Sequence, residues 1–250
     1  MKYLKILTIA VLGLLLFAAC KKDKQDHIIP ADKRYLSSVT DETGKTVAKV
    51  TYYDDKKIKT FTFGDWEYRY VYDNNGKVSS VFSGNEECRY NYNSNGKIVN
   101  YSIKGQTYPV TYNSGENSYA FTSFVGPTKV FLDTKDNCTK VIYGANNPTT
   151  ANFFYQNNRK GPLSNGGDMS LTNFISLVPV FLVGQVEGNL LAFPLEGFTG
   201  GNSESSTSAS FANEYDSENS LLKSTITTTR KINNGNETNT IEYTYHYMEL

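Results

Sequence analysis

Tyr52, Tyr72, Tyr92 and Tyr112 fall at 20-residue intervals, and this spacing constrains the fold more than any other feature of the chain. Two residues before each stands Val50, Tyr70, Tyr90 or Val110. After the middle two comes one turn written twice, Asp73-Asn74-Asn75-Gly76 and Asn93-Ser94-Asn95-Gly96. Lys77-Val78 and Lys97-Ile98 follow in register, and Lys57-Ile58 repeats that step one unit earlier. A repeat of this length fixes architecture before it says anything about chemistry.

Each unit reads as two short strands. Tyr68-Arg69-Tyr70-Val71-Tyr72 and Cys88-Arg89-Tyr90-Asn91-Tyr92 alternate apolar with polar residues, the period of a half-buried antiparallel strand. Glycine closes each turn because it takes positive φ at little steric cost. A second glycine recurs at Gly64 and Gly84, and at Gly105 slipped by one. The return strands carry apolar residues on odd numbers: Phe61, Phe63, Val81, Val99, Tyr101, Ile103 and Phe121. Eight strands are expected between about residues 48 and 124.

Beyond that point the pattern loosens. Val130–Leu132 with Val141–Tyr143 reads as a worn hairpin, and Asn152 to Tyr155 as another strand. Leu171, Phe174, Ile175 and Val178 follow helical spacing after Ser170, and Pro179 stops the run. Gly200 to Ser210 reads as a loop. Strands return at 210–216, 222–231 and 240–247, with Asn234-Gly235 as a hairpin signal. The expected fold class is all-β: a large antiparallel meander of about fourteen strands, strongly curled or barrel-like. Open sheets rarely exceed about 10 strands without curling. One short helical, apolar insertion, near residues 168–198, is expected to lie against the concave face.

The first 19 residues read as a lipoprotein signal peptide. Lys2 and Lys5 precede an apolar run from Ile6 to Phe17, and Ala18-Ala19 lead to Cys20 in the manner of a bacterial lipobox. Cys20 is the expected lipid attachment site, residues 20–33 a lipidated tether, and residues 34–250 a single β-repeat domain. The expected location is the outer membrane, held by the lipid anchor, on either the periplasmic or the cell-surface face. Without residues 1–19 the chain loses two of its 25 basic residues, leaving 23 against 25 acidic ones. Such a balance argues against a nucleic-acid partner. The 19 Tyr and 14 Phe supply enough aromatic mass for a sizeable core.

Tyr70-Val71-Tyr72-Asp73-Asn74-Asn75-Gly76-Lys77 resembles the YD-type repeats of bacterial surface proteins. With Asn146-Asn147-Pro148-Thr149, Asn213-Glu214-Tyr215-Asp216 and Glu242-Tyr243-Thr244-Tyr245-His246-Tyr247, the layout is similar to a family of tyrosine-rich bacterial lipoproteins of unknown function. That family is described as porin-like in fold. The resemblance implies fold and address and supplies no catalytic residues.

Chemistry is sparse. His27 sits in the tether and His246 in the last strand, with no cluster at metal-ligand spacing, so neither a metal nor a cofactor is expected. No nucleophile elbow or phosphate loop is present. Asp73-Asn74-Asn75-Gly76 lacks the downstream acid of a calcium loop and reads as a turn. Asp54-Asp55 and Glu86-Glu87 are adjacent acids that face opposite ways on a strand. Cys88 and Cys138 lie 50 residues apart, not a whole number of repeats, and read as two separate strand thiols. The tyrosine ladder is either strand packing or a stacking platform for sugar rings, with Trp66, Tyr68 and Tyr70 as candidate ligand-binding residues. A non-catalytic module that binds a glycan or an envelope protein is the favoured reading. A carbohydrate-active enzyme with dispersed carboxylates and a carrier of an apolar ligand are the alternatives.

Overall fold

The computed structural model describes residues 30–123, 126–156, 158–166, 191, 193–232 and 235–250. After a short 3-10 turn, Ala31–Lys33, the described residues form sixteen strands. They are β1 (Arg34–Asp41), β2 (Thr46–Tyr52), β3 (Ile58–Phe63), β4 (Trp66–Tyr72), β5 (Val78–Ser83), β6 (Glu86–Tyr92), β7 (Ile98–Ile103), β8 (Gln106–Asn113), β9 (Ser118–Ser123), β10 (Gly126–Leu132), β11 (Cys138–Tyr143), β12 (Thr149–Tyr155), β13 (Leu195–Gly201), β14 (Ser205–Tyr215), β15 (Leu221–Ile232) and β16 (Gly235–Glu249). Each pairs antiparallel with the next, and β1 pairs with β16 to close a barrel.

The repeat region forms the eight strands β2–β9, as expected. The count of about fourteen is corrected to sixteen by β1 and β13. β1 is broken by a bulge between Leu36 and Ser38, which hides its alternation. β13 holds Gly197, Gly200 and Gly201, and the last two open the stretch that reads as a loop. Gly197 and Gly200 lie under the Phe154 and Phe198 rings, and Gly201 lies against the β14 backbone. A Cβ would come within 2.8 Å of the Phe198 ring at Gly200 and within 2.4 Å of the Ser205 carbonyl at Gly201, so these two glycines serve close packing within a strand. The helical spacing at 171–178 falls outside the described residues.

Successive hairpins alternate between two ends of the barrel. Arg34, the first residue of β1, and Glu249, the last of β16, pair at one end, here the base. The recurring Asp/Asn turns lie there too. Asp73 Oδ1 accepts the N–H groups of Asn75 and Lys77, both at 2.9 Å, and Asn93 Oδ1 those of Asn95 and Lys97, both at 3.0 Å. Asp133 and Asp216 cap their turns in the same way. At the opposite end, the rim, β3–β4, β5–β6 and β7–β8 join through two-residue loops. Gly64 and Gly84 take φ of 57° at the first loop position, the type II′ arrangement. In the third loop Lys104 and Gly105 are both left-handed, which is type I′ and explains the one-residue slip of that glycine.

Apolar side chains of one strand face form the core: Val50, Phe61, Tyr68, Tyr70, Val81, Tyr90, Tyr101, Phe121, Val130, Phe153, Ile226 and Tyr243 among them. The other face carries Lys49, Arg69, Arg89 and Thr111, all exposed. Val99, expected inside, is instead 38% exposed, and Ile98 is buried. A bulge at Asn91/Tyr92 pairs Tyr92 with Ile98 and reverses the facing of the residues beyond it.

The connection from β12 to β13 leaves and returns at the base. Its described part, residues 158–166, reaches across to the first strands. A Cβ on Gly166 would stand 2.5 Å from the Ile58 side chain, and Asn165 Nδ2 donates to the carbonyls of Ala31 and Arg34 at 2.8 and 2.7 Å. Leu163, also buried, donates its N–H to the Leu191 carbonyl at 3.1 Å. The buried Arg34 guanidinium pairs with the Asp216 carboxylate in the β14–β15 turn. The barrel seam is thus fastened at the base by side chains from three parts of the chain.

Candidate functional site

The repeated tyrosines are placed by the fold at the base, one at the end of every second strand. The Tyr52 hydroxyl donates to the Leu36 carbonyl at 2.9 Å, Tyr72 to Ile58 at 2.9 Å, and Tyr92 to Val78 at 2.7 Å. Tyr155 donates to Cys138 at 2.8 Å and Tyr247 to Leu221 at 2.6 Å. Each bond ties one hairpin to the start of the strand before it. Tyr112 bonds Asn117 Oδ1 at 2.7 Å instead. The lysine that follows each turn completes the unit. Lys57 Nζ lies 5.4 Å from the Tyr72 ring centre, Lys77 5.3 Å from Tyr92, and Lys97 4.6 Å from Tyr112. Lys57 and Lys77 also press on Gly76 and Gly96, where a Cβ would come within 3.3 and 2.9 Å of the lysine Cε. Each letter of the repeat therefore has a place in the staple. Tyr72→Phe should cost about 1 kcal/mol, a fall in Tm of roughly 2–4 °C for a domain of this size; differential scanning calorimetry measures it.

Burial sets the chemistry of these rings. It pushes the hydroxyl pKa of Tyr52, Tyr72, Tyr155, Tyr245 and Tyr247 above the ordinary value, and that of Tyr101 up to about 12. The two described thiols behave alike. Cys88 and Cys138 are separate and buried, and burial raises both, Cys88 to about 11. Neither should react with a bulky disulfide reagent at pH 8 until the chain is denatured, as absorbance of the released thiolate would show.

The three candidate ligand-binding residues separate. Tyr68 and Tyr70 are 3% and 0% exposed, whereas Trp66 is 56% exposed. Tyr68 and Tyr70 are thus packed in the core, and of the three only Trp66 is offered to solvent. All three point to the inner face of β4, but only Trp66, paired with Phe63 across the tight turn, stands at the rim. Other inward rim positions hold half-buried Phe63, Ile103, Tyr108, Tyr143 and Phe198. Tyr108 stacks on Tyr101 with ring centres 5.0 Å apart and an angle of 16°. Cys20 lies outside the described residues.

The last three strands are the longest and carry the rim outward. A hollow of about 330 Å³ opens between them, lined by Ile226, Thr228, Arg230, Glu237, Thr238, Asn239 and Ile241. The register Ile226↔Ile241, Thr228↔Asn239, Arg230↔Glu237 grades it from apolar floor to charged lip. Sequence reasoning missed it, although the hairpin signal beside Gly235 was legible. Gly235 pairs with Ile232 as the first residue of β16, so it stands in the strand and not in the turn that Asn234-Gly235 suggests.

Asp41, Asp55, Glu87 and Glu116 have carboxyl pKa values held low, each chiefly by a side-chain hydrogen bond: from Thr43, Lys57, Arg89 and Lys129 respectively. A general acid needs the opposite shift. Glu86 and Glu87 contribute to a second hollow, on the surface of β6 and β7, where they pair with Lys104 and Arg89 at 2.6 and 2.8 Å. Among the described residues no group of three His, Cys, Asp or Glu side chains could hold a metal ion. His246 is exposed and its Nε2 lies 3.0 Å from the Thr40 hydroxyl.

No protein-family model matches the chain, and no curated protein does. Among solved structures it is similar to a porin-like protein from Bacteroides uniformis. Identity there is 13% and the TM-score 0.49, over 85% of this chain and 96% of that one.

Proposed function

We propose that the chain is a lipid-anchored, non-catalytic envelope module that binds a glycan or an envelope protein at its rim. The observation that carries this reading is the division of aromatic residues. The repeat tyrosines are committed to the fold at the base, while Trp66 is offered to solvent at the other end. A lipid on Cys20 would enter from the base, where β1 begins, and would hold the base toward the membrane and the rim away from it. Wall composition supports an anchor over insertion. Strands β1–β13 run six to eight residues, whereas a membrane strand takes roughly 9–11. Lys49, Arg69 and Arg89 lie on the outer wall at mid-strand, and lipid contact there would cost about 2–4 kcal/mol for each.

Because Trp66 is the single tryptophan, its fluorescence reports on the rim alone. Titrating envelope oligosaccharides should shift its emission to the blue with saturation, and Trp66→Ala should abolish binding while leaving Tm within about 1 °C. Saturable binding that survives Trp66→Ala, or no shift with any oligosaccharide, would reject a glycan site at this rim. Mass spectrometry of the mature amino terminus tests the anchor: an unmodified peptide continuous through Cys20 would reject it.

A further inference from the structure

β15 and β16 treat their two faces differently. On the outer face their polar side chains meet. The Thr227 and Thr240 hydroxyls lie 3.1 Å apart, those of Thr229 and Thr238 3.2 Å apart, and Lys223 Nζ donates to Glu242 at 3.2 Å. On the inner face, around the hollow, they stay apart. Arg230 stands directly opposite Glu237, and Thr228 opposite Asn239. Residues so paired have Cα atoms only about 4.5–5.5 Å apart. Even so, among the described residues none of these four side chains makes a hydrogen bond or an ion pair. One rung below them lie buried Ile226 and half-buried Ile241. The hollow's volume of about 330 Å³ stands at the small end of ligand sites, which run from roughly 300 to 1,000 Å³.

We propose that this hollow binds a free α-amino acid with an aliphatic side chain. The lip offers one cation and one anion on the same rung, and an α-amino acid carries its carboxylate and its ammonium on one carbon. Arg230 would take the carboxylate with its planar fork, and Glu237 would accept from the ammonium. Thr228 and Asn239 offer a hydroxyl and an amide to the head-group atoms those charges leave free. The floor of Ile226 and Ile241 selects an aliphatic side chain. Other small classes fit less well. A fatty acid would bring its carboxylate to Glu237 as a like charge, and an alkylamine would meet Arg230 in the same way. A peptide holds its two terminal charges at opposite ends, whereas both charges of the lip stand together.

Isothermal titration calorimetry of the purified protein with L-leucine tests this. Leucine should bind saturably, and glycine, which leaves the floor empty, about tenfold or more weaker. 4-Methylpentanoate lacks the ammonium and leucine amide lacks the carboxylate; each should bind about tenfold or more weaker than leucine. Arg230→Gln and Glu237→Gln should lower leucine affinity by a similar factor and keep Tm within about 1 °C, since neither side chain holds another part of the protein. The loss should be specific: Glu237→Gln should not weaken 4-methylpentanoate, and Arg230→Gln should not weaken leucine amide. No saturable heat with leucine, isoleucine or valine would overturn the proposal. So would 4-methylpentanoate bound as tightly as leucine, or leucine binding indifferent to both variants. Trp66→Ala should leave leucine binding intact, so failure here and failure of the glycan reading are separate results.

Discussion

Arg34→Met should destabilise the barrel by about 3–5 kcal/mol, because it leaves the Asp216 carboxylate buried at the base without its partner. Arg34 is 8% exposed, and the pair joins the first residue of β1 to the β14–β15 turn at the closing seam. The repeat itself supplies the control. Asn93 caps its turn with Oδ1 just as Asp216 does, so Asp216→Asn keeps the cap and removes the charge. The double variant Arg34→Met/Asp216→Asn should therefore recover much of the loss. Urea unfolding gives all three values. A double variant no more stable than Arg34→Met alone would show that the charge pairing is not what Arg34 contributes.

Tyr70→Ala should cost a similar amount, about 3–5 kcal/mol for truncating a large aromatic in the core. The ring is 0% exposed, between Val81 on β5 and the neighbouring rows of β3. At this size the loss corresponds to a Tm lower by roughly 10 °C or more. A stacking platform predicts the reverse pattern, with stability spared and ligand affinity lost. Thermal unfolding of Tyr70→Ala beside Trp66→Ala separates the two roles within one strand.

Much of this architecture was legible in the chain. The 20-residue spacing gave β2–β9 because each unit combines period-two alternation with a turn whose glycines carry positive φ. Three features were not legible, each for a local reason. Bulges at the base shift facing by one residue, so Val99 could not be told from an inward position. The glycines of β13 imitate a loop, since their purpose is to lie under the Phe154 and Phe198 rings. Arg34 stands directly after the charged tether, and its pairing with Asp216 emerges only when the barrel closes. At the site, Trp66 follows the Gly64-Asp65 turn, whereas alternation alone grouped Tyr68 and Tyr70 with it. Nothing in a strand's sequence says whether its aromatic face looks onto solvent or into a closed barrel. The charged lip of the hollow depends on the β15–β16 register, which is a property of pairing and not of either strand.

The account's central claim is that the tyrosine repeat is a half-buried staple that holds the barrel together. Tyrosine ionisation tests it most directly, followed by absorbance at 295 nm alongside far-UV circular dichroism as pH is raised. Burial lifts the folded-state pKa of Tyr101 from 10.0 to about 12, and raises Tyr52, Tyr72, Tyr155, Tyr245 and Tyr247 as well. A group with a raised folded pKa contributes stability that is full below its unfolded value and is lost as pH climbs through the folded one. The raised tyrosines should therefore ionise only above the ordinary tyrosine range, together with loss of the β signal. Reversible titration of every tyrosine near pH 10 with an unchanged spectrum would contradict the account.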